Sequence, residues 1–89
     1  MSAEELSVKY IFAMEKTLKD AHVSPEPITL KKQCVDEIFG HVKAYLEDAK
    51  YFQSQKKFET SLVSIAYCEG LLDALKLAGA VKISPGKQH

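Results

Sequence analysis

Apolar residues recur every three to four positions along nearly the whole chain, and nowhere do they alternate strictly with polar ones. That spacing is the helical period, and it predicts an all-α protein. The first helix is expected over about Ala3–His22. Ser2 followed by Glu5 has the form of a capping box at its start. Leu6, Tyr10, Ala13, Met14, Leu18 and Ala21 make its inward stripe, with Lys9, Lys16, Lys19 and Asp20 on the other side.

The second helix is expected over about Leu30–Gln53. Stepping about 100° per residue puts Val35, Ile38, Val42, Tyr45, Leu46, Ala49 and Phe52 on one face. Lys32, Asp36, Glu37, Lys43, Glu47 and Lys50 fall on the other. The third is expected over about Lys57–Ala78, closed by Gly79. It differs from the other two: Leu62, Ile65, Leu71, Leu72 and Leu75 surround it on most sides. A helix apolar nearly all round belongs between neighbours, so it should touch the second helix along one line and the first along another.

The connectors follow from local chemistry. "HVSPEPIT", residues 22–29, holds two prolines that stop a helix and stiffen the link. Thr29 is one candidate cap for the second helix; Ser24 with Pro25 behind it is the alternative start. "SQKK", residues 54–57, must be the other turn, because the apolar stripe ends at Phe52 and restarts out of phase at Phe58. No glycine or proline marks it. If the turn needs a left-handed residue, a non-glycine carries it at a cost of about 1 kcal/mol. The expected architecture is a three-helix antiparallel bundle over residues 1–80. Its rigid part is the long hairpin of the second and third helices. A tail follows over 81–89, whose last residues, from Ser84, should fray.

Composition then narrows the function. Twelve basic residues balance twelve acidic ones, and every base is lysine. With no net positive field and no guanidinium fork, nucleic acid is a poor partner. No apolar run approaches the roughly 20 residues that cross a bilayer, and the acidic start is unlike a signal peptide. A cytoplasmic protein is expected. Cys34 and Cys68 are too few for a thiolate zinc site or a disulfide scaffold, and two buried free thiols are expected. In a hairpin turning near Gln55–Lys56, Cys68 faces about residue 43, which leaves Cys34 roughly 13 Å along the helix. That is too far to bridge.

Candidate chemistry is sparse. There is no phosphate-binding glycine loop, nucleophile elbow or Cys–His pair at close register, so no catalytic residue and no cofactor is expected. Gly70, mid-helix, costs about 1 kcal/mol against alanine. Close approach of another backbone or ring, such as Tyr45 or Tyr10, would explain it, as would a ligand groove floored by it. Glu69 and Asp73 read as a solvated or lysine-paired edge, with Lys76 a natural partner. With His41 near the same level, they are the alternative: a metal or small-ligand site. Val8 and Phe12 lie one turn apart off the first helix's core stripe. Either they open an interface, or Val81 and Ile83 of the tail cover them.

From Tyr45 on, "YLEDAKYF" and "SLVSIAYCEGLLDALKLAG" resemble the archaeal family known as domain of unknown function 357. Asp48-Ala49, Tyr51-Phe52, Ala66-Tyr67, Gly70, Leu72-Asp73-Ala74 and Gly79 carry the likeness, over about the last two-thirds of the chain. Where that family often has Gly at the turn and Ala early in the third helix, this chain has Lys56 and Ser61. The resemblance implies a small helical fold and an archaeal cytoplasmic source. It also implies that Tyr67, Gly70 and Asp73 belong to a shared signature, and it supplies no activity. The expected function is therefore a non-enzymatic protein–protein interaction module, its partner another protein or a second copy in a homodimer. Val8, Phe12, Tyr67, Gly70 and Asp73 are its candidate contacts; His41, Glu69 and Asp73 are the ligand-binding alternative.

Overall fold

The computed structural model describes residues 2–84. They form three helices, α1 (Ala3–Asp20), α2 (Lys32–Ser54) and α3 (Phe58–Leu77), with no strand among the described residues. The all-α reading and the long α2–α3 hairpin are both present. The capping box is formed: the Glu5 amide donates to Ser2 Oγ at 3.1 Å and the Ser2 amide to Glu5 Oε1 at 3.3 Å.

The hairpin is the packed part. Val42 and Ala49 of α2 and Ser64, Cys68 and Leu75 of α3 are buried along the hairpin. Val35, Ile38, Tyr45 and Phe52 are half-buried on the same α2 face, as their spacing requires. Leu46, at the margin of that face, stays exposed. Two bonds crossing the hairpin record its register. Ser61 Oγ donates to the Ala49 carbonyl at 2.7 Å, and Cys68 Sγ to the Val42 carbonyl at 3.4 Å. Cys68 thus meets residue 42, one position from the sequence-based register. Both cysteines are free, but only Cys68 is buried; Cys34 lies exposed in the first turn of α2, which corrects the expectation of two buried thiols.

The turn explains itself through hydrogen bonds. After α2, the Lys56 amide donates to the Gln53 carbonyl (3.0 Å) and the Lys57 amide to the Phe52 carbonyl (2.8 Å). This is a Schellman motif, and it places Lys56 at φ 60°. After α3 the same pattern recurs with Gly79 at φ 75° in the equivalent place. One motif has its glycine and the other strains a lysine. Lys56→Gly should therefore raise the unfolding free energy by about 0.5–1 kcal/mol, the relief of the left-handed strain less the entropy of a freer unfolded chain. A rise in the urea midpoint at constant slope is the check.

The start of α2 departs from both candidate caps. Its N-cap is Lys31, in extended conformation and without a capping side chain. Ser24 instead accepts from the Glu26 amide at 3.3 Å, a bend that starts no helix. Two prolines and an uncapped first turn delay α2 by two residues relative to its periodic pattern.

α1 is the main departure. It contains no buried residue, and among the described residues it makes no contact with α2 or α3. Of its apolar stripe only Leu6 is partly covered; Tyr10, Met14 and Leu18 are exposed. α3 is therefore not wedged between two helices. Val81, which is half-buried, shares a cleft with the linker and the start of α2 rather than covering Val8 and Phe12. Ile83 is exposed. Most of the segment expected to fray, 85–89, lies outside the described residues, as does His89.

The shape follows from α1. The radius of gyration is 16.6 Å, against about 12 Å for a compact chain of this length. The chain exposes 8170 Å², against roughly 5,200 Å² for a compact monomer of this mass.

Candidate functional site

α3 carries two apolar sides. Stepping about 100° per residue gathers Ser61, Ser64, Cys68, Leu71, Leu72 and Leu75 toward α2, and all of these are buried or half-buried. The same stepping gathers Val63, Ala66, Tyr67, Gly70 and Ala74 on the far side, and all of these are exposed. Val63 is 56% and Tyr67 59% accessible. Serine and alanine at Ser61, Ser64 and Ala49 let the two hairpin helices close up over that stretch.

That outer face is a shallow groove of about 440 Å³, lined by Val63, Ala66, Tyr67, Gly70 and Leu71. The Tyr67 ring borders it, held by stacking on Tyr45 of α2 at 5.3 Å between centroids and 17° between planes. Tyr45 is thus spent on Tyr67 and does not lie over Gly70. A methyl group built on Gly70 would meet nothing within 4 Å. The expectation that Gly70 admits another part of this chain is corrected: among the described residues no neighbour stands there, and its absent side chain leaves a gap open to water.

Along the other edge stand Glu69 and Asp73, both exposed. Asp73 pairs with Lys76 at 3.9 Å, the lysine-paired edge read from the sequence. His41 is exposed on α2. Among the described residues no three metal-ligating side chains come together, so His41, Glu69 and Asp73 are not assembled into a site. The register explains this: Cys68 meets Val42, which directs His41 and the two acids to outer edges rather than into the interface. Val8 and Phe12 are exposed on α1, on the side away from its apolar stripe, and do not join the groove.

A larger cleft, about 1080 Å³, lies between residues 28–30, the first turns of α2 and residues 78–82. Its walls are mostly apolar, including Ile28, Leu30, Val35, Phe39 and Val81, and two of its charged groups, Lys32 and Asp36, pair with each other at 3.4 Å. Besides that pair its polar side chains are Thr29 and Lys82. The Val63–Gly70 groove offers only one side-chain polar atom, the Tyr67 hydroxyl. Sequence reasoning named Tyr67, Gly70 and Asp73 here but missed Val63, Ala66 and Leu71. The available signal was that α3 is apolar on two sides, which was attributed to cover by α1.

Comparison with known proteins adds one match. A family model described as protein of unknown function (DUF357) matches residues 9–81. The match reaches beyond the hairpin to take in most of α1, further than the sequence resemblance from Tyr45. No match to the chain was found among curated proteins or among solved structures.

Proposed function

Since the chain belongs to the family of proteins of unknown function DUF357, we propose its function from its surfaces: it is a non-enzymatic module that binds protein through the uncovered face of α3. One observation carries this reading. α3 is apolar on two opposite sides, and the described residues cover only one. Contiguous exposed apolar surface of this kind marks a protein contact. A glycine kept at mid-helix, at a cost of about 1 kcal/mol against alanine, is accounted for by a body from outside that needs the gap. The groove's near-absence of polar groups favours an apolar helix face over a substrate or a nucleic-acid phosphate.

Two further features agree. No described helix is long and apolar enough to cross a membrane. The exposed Cys34 thiol is free, which suits a reducing cytoplasmic compartment. Gly70→Glu tests the reading. It should weaken association at least tenfold, measured by light scattering of the protein with whatever binds it, while far-UV circular dichroism keeps its helical signal. Phe12→Lys is the comparison. If it abolishes association and Gly70→Glu does not, the contact lies on the Val8–Phe12 face and the groove reading fails.

A further inference from the structure

We propose that the occupant of the α3 face is the α1 helix of a second copy of this chain, exchanged reciprocally in a swapped dimer. The inference rests on the interaction reading above and names its partner.

Three observations lead to a second copy. The first is area. The chain exposes 8170 Å², about 3,000 Å² beyond the roughly 5,200 Å² of a compact monomer of 9.9 kDa. Obligate homodimers bury about 2,000–5,000 Å² in total, so two symmetric contacts drawn from this surplus fall in their range.

The second is fit. α1 presents a stripe of Leu6, Tyr10, Met14 and Leu18 at spacings of four, exposed at all but the half-buried Leu6, the pattern a helix uses to lie in a groove. Its 18 residues reach about 27 Å, enough to run the length of the Val63–Ala74 face. Ala66, Gly70 and Ala74 leave that face low, so the large side chains of α1 supply the volume the face lacks. The family match, residues 9–81, takes in most of α1 and all of the α3 face.

The third is the hinge. Ala21 (φ −82°, ψ 142°) and Lys31 (φ −69°, ψ 144°) are both extended, and Pro25 and Pro27 between them prevent a helix. The linker holds α1 away from its own hairpin, with the stripe and the face it complements both bare. A second copy restores both contacts at once by exchanging α1, which is the route by which a projecting element forms a dimer at low cost.

The test uses the full chain and two variants. One breaks the stripe, Tyr10→Glu with Met14→Glu. The other blocks the face, Val63→Glu with Gly70→Glu. All four positions are exposed, so the hairpin core is untouched. Ala66→Glu with Ala74→Glu serves as a second blocked face. Sedimentation equilibrium should give the unmodified chain twice 9.9 kDa and each variant 9.9 kDa. An equimolar mixture of broken stripe and blocked face should return to twice that mass, because one good stripe then meets one good face.

A variant that stays dimeric, or a mixture that stays monomeric, overturns the exchange while leaving the protein-binding reading intact. An unmodified chain that is monomeric with the α1 amides exposed to exchange also overturns it, and the face then belongs to a different protein. A monomer with protected α1 amides, α1 folded onto its own α3, overturns both.

Discussion

Leu75→Ala is expected to lower the unfolding free energy by about 3 kcal/mol. Leu75 is 2% exposed, the most buried of the few buried residues in the hairpin. Truncation removes its transfer energy and leaves a cavity, and leucine-to-alanine changes in such places cost roughly 2–5 kcal/mol. The register that sets Cys68 on Val42 places Leu75 opposite about residue 35, where Val35 and Ile38 are half-buried. Domains of this size have a total stability of about 5–15 kcal/mol, so the variant should be partly unfolded at modest urea. Chemical denaturation followed by circular dichroism measures it. Val23→Ala, in the linker and 91% exposed, should change stability by under about 0.5 kcal/mol. Equal effects at the two positions would mean that the hairpin is not the folded core.

The second large effect is on concentration dependence. If α3 is covered by a second copy, association and folding are linked, and dilution alone destabilises the chain. Roughly hundredfold dilution should lower the apparent unfolding free energy by about 2.7 kcal/mol per dimer. The thermal midpoint should fall with it. The blocked-face variants should show no such dependence, since they unfold from a monomer at every concentration. A midpoint for the unmodified chain that stays constant across that range would rule out a dimer as the folded state.

The hairpin was largely legible in the sequence because its signals are local and agree with one another. The period of Val35, Ile38, Val42, Tyr45 and Ala49 named the buried face of α2, and the break after Phe52 named the turn. The register followed within one residue because a short turn leaves little freedom. Even the strained lysine was foreseeable, since a helix stop without glycine must place another residue in the left-handed region, and Lys56 takes it. Where reading failed, the signals were ambiguous. Thr29 is a good cap in isolation, but the extended segment around Pro27 places the helix start later. Cys34 falls near the margin of the apolar face of α2, where burial depends on how far α3 reaches, and α3 does not cover it.

By itself, then, the sequence determined which side of each helix seeks cover: the inner line of α2, both sides of α3, and the stripe of α1. It also determined the caps at Ser2 and Gly79 and the pairing of α2 with α3. Only the tertiary structure decided what covers each side. It closed α3 against α2, left Val63, Tyr67 and Gly70 bare, and held α1 apart. The reason is that hydrophobic burial is non-directional. An apolar stripe is satisfied equally by its own chain or by another. Between α2 and α3 a tight turn removes that choice; between α1 and α2 the extended segment 21–31 leaves it open.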